Sequence, residues 1–442
     1  MRQRSRSILA TGLSGALAFT MIGCSASPDS TPSADGTTED PASVSGSITV
    51  LTHRTDLIDN GTFSGYVTQF QEEYPDVSVE FEGITAYEDE VPIRLSSGEF
   101  GDVLTIPRSV RPDQFEQFFE PFGDQADLEG DYLFLNQVSS DGVAYGLAQG
   151  GNATGVVYNR RVLEDAGVAE LPTSVEDFMS ALAAINDNTD AVPLYTNYKD
   201  GWPLGDLQRN IGVSLGNVDA RNDMVASDTP WVDGSDIYYV DSLLYDAVEA
   251  GYTEDDPLTT NWEASKVMIG SGEVGMMVLG SWAISQMQAA AEDAGFSADD
   301  IGFLPYPSAT DGASYALVEG DYYFGINKGS QNKDAARAWV DWFISSSPYA
   351  ADEGFISSLK SEPLPANLSD LTDLGTEIIE LVPEVEEGLF ARIDSESEIA
   401  ITQGGYRQRL VDIARGAANG DKANYFAELN DKWAAARASV TG

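Results

Sequence analysis

An α/β fold is predicted by three features: a strand–helix–strand opening, long amphipathic segments separated by short and often glycine-rich apolar runs, and a body without cysteine staples. The alternation Ser47-Ile48-Thr49-Val50-Leu51-Thr52 reads as the first strand. Residues 61–74 carry Phe63, Tyr66, Val67, Phe70 and Tyr74 at helical spacing, and Pro75 ends that helix. Val77, Val79 and Phe81 alternate as the next strand, and residues 102–106 form another, closed by Pro107.

Residues 155–158 read as a strand feeding a helix over 160–166 that stops at Gly167. Ser174 caps the following helix with Asp177 three places on, and Val175, Phe178, Met179, Leu182 and Ile185 form its buried stripe. Further helices are predicted over 235–250, 262–269, 281–294, 332–346, 371–381 and 423–436. The apolar run from Val274 to Leu279 reads as a strand. No internal repeat is visible, and the pattern fits α/β domains rather than a sandwich or a repeat array.

The amino terminus predicts export. Arg2, Arg4 and Arg6 precede an apolar run from Ile8, and Gly23 stands just before the single cysteine, Cys24. Met21-Ile22-Gly23-Cys24 resembles a bacterial lipobox, with methionine an unusual first residue. That resemblance implies a signal peptide over 1–23, lipidation of Cys24, and attachment to the outer face of the membrane, as in a Gram-positive cell. A free cysteine in a plain secretory signal is the simpler alternative. Residues 24–46, rich in Ser, Thr, Pro, Asp and Gly, read as a disordered tether, with order beginning at Ser47.

Composition narrows the function. With 24 basic and 72 acidic residues the 442-residue chain has a formal charge of −48, which disfavours nucleic acid and anionic lipid headgroups. His53 is the only histidine, so no His/Cys metal cluster or Cys–His catalytic pair can be assembled. There is no phosphate-cradling glycine loop with its lysine and no nucleophile elbow, and no cofactor or metal is expected. Carboxylates are too abundant for their presence to single out a glycosidase pair, and Asp187-Asn188-Thr189-Asp190 lacks the spacing of a calcium loop.

Aromatic residues supply the candidate site. Trp202 lies in Asp200-Gly201-Trp202-Pro203-Leu204, a loop entering a helix, and Trp282 follows the apolar run at a strand end. Both are assigned to a ligand cleft, where a flat ring covers the hydrogen face of a sugar. Trp231, Trp262, Trp339, Trp342 and Trp433 are read first as packing. His53, Arg54 and Asp56 follow the first strand and Arg108 follows the third. Bonds to ligand hydroxyls and a structural salt bridge are both compatible with them.

Four stretches carry a family resemblance. Gly155-Val156-Val157-Tyr158-Asn159-Arg160 through Asp165-Ala166-Gly167-Val168, then Pro172-Thr173-Ser174-Val175-Glu176-Asp177-Phe178, is the first; Ser174 stands where the family commonly has tryptophan. Gly272-Glu273-Val274-Gly275-Met276-Met277-Val278-Leu279-Gly280-Ser281-Trp282 is the second, and Ile301-Gly302-Phe303-Leu304-Pro305-Tyr306-Pro307 the third. The last is Tyr323-Phe324-Gly325-Ile326-Asn327-Lys328 with Asp334-Ala335-Ala336-Arg337-Ala338-Trp339. In this order they resemble the family 1 extracellular solute-binding proteins of ABC importers, the oligosaccharide-binding family that includes maltose-binding protein.

The resemblance implies a periplasmic-binding-protein-like type II fold: two α/β lobes, 47–149 with 306–366 and 150–305 with 367–442, joined by hinge strands crossing near 148–152 and 303–307 with a return near Asn367. It implies a monomer that closes its cleft on an oligosaccharide and presents it to the transmembrane subunits of an ABC permease, without catalysis. Trp202, Trp282 and Asp200 fall at its cleft, His53, Arg54, Asp56 and Arg108 at polar loops of the first lobe. Tyr322 and Tyr323 border that lobe's side of the site. Strand alternation turns them to opposite faces, with Tyr322 the one expected to meet ligand. A membrane-anchored glycoside hydrolase and a carbohydrate-binding adhesin are the alternative functions. Xylan-derived, α-1,6-linked, and β-linked gluco- or manno-oligosaccharides remain open as ligands.

Overall fold

The computed structural model describes residues 41–310 and 312–442, so Cys24, the signal segment and most of the tether lie outside the described residues. Order starts a few residues earlier than expected. Pro41–Ser43 forms a 3-10 turn, and Val44 is buried in the first apolar core, which gives this end of the tether something to pack on.

Nine strands form one mixed sheet: β1 (Gly46–Thr52), β2 (Val77–Gly83), β3 (Val103–Thr105), β4 (Leu147–Asn159), β5 (Val192–Leu194), β6 (Val274–Gly280), β7 (Ile301–Pro305), β8 (Tyr315–Ile326) and β9 (Glu377–Ile379). The main order is β2-β1-β3-β8-β4-β6-β5, with β7 also on β4 and β9 on β8. The opening is parallel as βαβ chemistry requires: Val50 of β1 faces Phe81 of β2 and Val103 of β3.

Two long strands join the lobes. In β4, Leu147 to Ala153 pairs antiparallel with β8, and Thr154 to Asn159 lies between β6 and β7. In β8, residues 315–317 pair with β9, while 324–326 reach back to β3. β4 thus changes partner between Ala153 and Thr154. Residues 303–305, expected to cross, pair along the second-lobe half of β4, and β8 makes the crossing. The proline-rich run of residues 305–307 marks the end of a strand, not a passage between lobes.

Each lobe has its own core. In the first, Ile48, Val50, Phe70 and Val103 pack on the helix Lys333–Ser345 through Trp339, whose ring meets Phe70 edge-on at 5.1 Å. In the second, Val156, Phe178 and Leu304 join Trp231, Leu410 and Trp433. Helix signals act as expected: Asn159 accepts from the Val162 N–H (3.1 Å), Gly167 takes φ +81° after Ala166, and Ser174 accepts from the Asp177 N–H (3.1 Å).

The helix expected over 371–381 is a correction. A short helix, Ser369–Asp373, ends before Gly375 at φ +66°, and the β-branched pair Ile378-Ile379 then enters β9. Helices Tyr87–Ser97, Leu389–Ser397 and Gly405–Ala414 had no clear signal, the first because Pro92 interrupts its pattern.

Candidate functional site

Three tryptophans meet on the second lobe. Trp202 opens the short helix Trp202–Asp206, with Gly201 at φ +76° before it and Pro203 in its first turn. Trp262 opens the helix Trp262–Ser271, capped by Asn261, whose side chain accepts from the Ala264 N–H (2.9 Å). Trp282 sits in the turn Ser281–Ala283 directly after β6. A Cβ on Gly280 would lie 2.5 Å from the Trp282 indole nitrogen, so only glycine lets the ring lie back on the strand end. Ring centroids are 5.0 Å apart for Trp202–Trp262 and 5.8 Å for each to Trp282, which makes one continuous aromatic wall. Trp202 is 38% exposed.

Asp200 acts within this wall. Its Oδ2 accepts the Trp262 backbone N–H at 2.8 Å, so the carboxylate ties the Trp202 loop to the helix carrying Trp262. Trp262, read from sequence as packing, thus belongs with Trp202 and Trp282. Trp231 is buried, with its indole N–H on Asp241 (2.7 Å), and Trp339, Trp342 and Trp433 are core.

The opposite face comes from the ends of β1 and β3 and from β8. His53 stacks on Tyr322 with centroids 3.8 Å apart and planes 25° apart. The Arg108 guanidinium lies 5.2 Å from the same Tyr322 centroid and its Nη2 is 3.3 Å from Asp321 Oδ1. Tyr322 holds φ +53°, a rare value for a non-glycine residue, and this breaks the alternation of β8. Tyr322 and Tyr323 consequently both line the cleft, in place of the single tyrosine that regular pleating requires. Burial, together with Arg54 and Arg108, pushes the His53 pKa down to about 4, so the ring is neutral at neutral pH.

Arg54 and Asp56 engage each other. Arg54 Nε and Nη2 donate to the two Asp56 oxygens at 2.9 and 2.8 Å, and Nη1 donates to Glu353 at 2.8 Å. This fork holds the loop after β1 against the segment following the helix Tyr349–Asp352.

Between Trp282 and Tyr322 lies a cleft of about 580 Å³, the size of a small-molecule or short-oligomer site; Trp202, Trp262, Asp200, His53, Arg54 and Asp56 stand outside its lining. Its walls include Arg108 and Tyr322 on one side and Trp282 and Arg209 on the other, with Asn152 of β4 and Asp321 of β8 on the crossing strands. Arg209 pairs with Asp206 (2.6 Å) and with Glu319 of β8. Glu319 and Asp321, two places apart on a strand, each face an arginine, so the polar lining is close to charge-balanced and suits an uncharged, hydroxyl-rich ligand. Asn152 bridges the region, donating toward Asp321 Oδ2 (3.4 Å) and accepting from Ser281 Oγ (3.2 Å). Among the described residues no group of three His, Cys, Asp or Glu could hold a metal ion.

Arg209, Asn152, Glu319 and Asp321 were not singled out from sequence. Asn152 follows Gly150-Gly151, a strand pair that leaves no room for Cβ atoms against Phe355 and Phe134, and that pair was a usable signal. Nothing local marked the other three.

A family model for the bacterial extracellular solute-binding proteins matches residues 55–349, most of the chain. The chain belongs to that family. As a solute-binding protein it shares its two-lobed α/β fold with solved relatives. It is 34% identical to a manno-oligosaccharide specific solute binding protein of Bifidobacterium animalis subsp. lactis in complex with mannotriose, covering 91% of this chain and 96% of that one with TM-score 0.72. A second ABC-transporter binding protein of that organism, in complex with mannobiose, is 33% identical over 91% and 96% of the two chains, TM-score 0.71. An uncharacterized ABC transporter extracellular-binding protein of Pyrococcus horikoshii is 22% identical over 202 residues, 46% of this solute-binding protein. The match spans only 44% of that archaeal relative.

Proposed function

We propose that this solute-binding protein captures a manno-oligosaccharide between its lobes and delivers it to an ABC import permease. The observation that carries the reading is the polar, charge-balanced cleft between Trp282 and Tyr322, with the rings of Trp202 and Trp262 in contact with Trp282. Its likeness to a mannotriose-bound relative at 34% identity supports the sugar class.

Sugar rings stack on the tryptophans, while Asn152, Asp321 and Arg108 offer acceptors and donors to hydroxyls. Ligand contact with both lobes favours the shut form, because the full set of bonds exists only there. The protein binds without cleaving a bond, and lipidation at Cys24 keeps it beside the permease. Calorimetry with mannotriose, maltotriose and xylotriose tests this: mannotriose is expected to bind most tightly and to be recovered intact. Preferential binding of another solute class, or release of new reducing ends, contradicts it.

A further inference from the structure

The helix Trp202–Asp206 is too short to fix the direction of its own first residue, and the structure shows what fixes it. A Cβ on Gly404 would lie 2.5 Å from the Gly205 nitrogen, 2.6 Å from the Gly201 oxygen and 3.1 Å from the Leu204 carbonyl carbon. Gly404 is therefore seated against the backbone at both ends of that helix. The contact is reciprocal: a Cβ on Gly205 would lie 2.5 Å from the Thr402 oxygen. Chain meets chain here with no side chain between, a fit with little slack.

Hydrogen bonds lock the same contact. Buried Arg407 donates from Nη1 to the Leu204 carbonyl (3.0 Å) and toward the Ile401 carbonyl (3.3 Å), and its Nε is held by Asp241 at 2.7 Å. Gln408 Nε2 donates to the Tyr198 carbonyl at 2.7 Å, just ahead of Asp200 and Trp202. The turn itself is strained, with the non-glycine residues Glu398 and Ala400 both at φ +55°. Asp394 holds it by accepting the Ile401 N–H on both oxygens at 2.9 and 3.0 Å.

We infer that the strained turn over residues 398–404, locked by Arg407 and Gln408, is the positioning device of Trp202: it sets where the stacking ring stands relative to Trp262 and Trp282. Gly404 and Gln408 are thus positioning residues that touch no ligand. The inference rests on the proposed sugar-binding role of Trp202.

A double-mutant cycle read by calorimetry with mannotriose tests it. Gly404→Ala is expected to weaken binding about tenfold and Gln408→Met about threefold. Gly416→Ala, also at positive φ (+75°) but with nothing within 4 Å of its Cβ, is expected to change affinity less than about twofold. In a Trp202→Ala background, Gly404→Ala and Gln408→Met should add less than about twofold each. Equal losses with and without Trp202, or no loss at all, overturn the inference. Should Gly404→Ala not fold, Gln408→Met carries the cycle alone. If the unaltered protein gives no heat with mannotriose, the sugar reading fails. Positioning is then judged by acrylamide quenching, comparing each variant with its Trp202→Phe partner. A changed Trp202 component supports the device and an unchanged one overturns it.

Discussion

Trp202, Trp262 and Trp282 touch one another, so each truncation also loosens its neighbours, and on the proposed function it removes a surface for a sugar ring. Trp202→Ala and Trp282→Ala should each weaken oligosaccharide binding by about 1–3 kcal/mol with the fold intact, as measured by calorimetry and thermal melting. Trp262→Ala is expected to fall in the same range, although sequence reading treats it as core. What decides its role is Asp200, whose carboxylate ties the Trp262 N–H from 62 residues away in the chain. Sequence spacing shows no such long-range partner. His53 brings a pH dependence. It is faced by Arg54, Asp56 and Arg108, stacks on Tyr322 and meets Tyr87 edge-on, and its pKa falls from 6.5 to about 4, chiefly through burial. The unfolded chain then takes up this proton below 6.5 and the folded chain only near 4, so this group's stabilisation is lost as pH falls through that window. Asp236 acts with the opposite sign, since burial raises its pKa from 3.8 to about 6 and its contribution is lost as pH rises through that range. Denaturation at pH 7 and pH 5 should show a smaller acid loss in His53→Gln than in the unaltered protein, and a larger one in Asp236→Asn.

At the scale of elements, Asp370 joins the returning segment to the second-lobe sheet. Arg160 Nη1 and Nη2 donate to it (2.9 and 2.6 Å), as do the Tyr158 hydroxyl (3.1 Å) and the Phe303 N–H (3.2 Å). Asp370→Ala leaves a half-buried guanidinium and a buried hydroxyl without their acceptor, and should cost about 1–3 kcal/mol in chemical denaturation. Helices with local signals were legible: Ser174 capping Val175–Asn188 and Gly167 closing Arg160–Ala166 are written in neighbouring residues. Elements that depend on distant partners were not. β9 pairs with a strand about 60 residues earlier, and Pro92 hides the helix Tyr87–Ser97. The cleft's first face follows the same rule. The strand-end positions of His53 and Arg108 could be read from sequence, but the left-handed Tyr322 that brings both tyrosines to the cleft could not.

For the whole molecule, β4 and β8 run through both lobes and carry Asn152, Glu319 and Asp321 on the cleft floor, so the connection between the lobes and the polar lining of the cleft share the same two strands. The order of the family stretches made this architecture readable, whereas the second crossing was misplaced because β7 and β8 lie close in sequence and only pairing separates them. The proposed anchor belongs to this scale as well: if Cys24 is lipidated, Cys24→Ser moves the protein from the membrane fraction to the medium, checked by fractionation and immunoblotting. No helix among the described residues is long and apolar enough to cross a membrane. The most direct test of the account is titration calorimetry against a linkage-diverse glycan panel that includes mannotriose. One bound manno-oligosaccharide per protein, recovered uncleaved, is the predicted result; silence across the glycans with heat from another class of solute would contradict it.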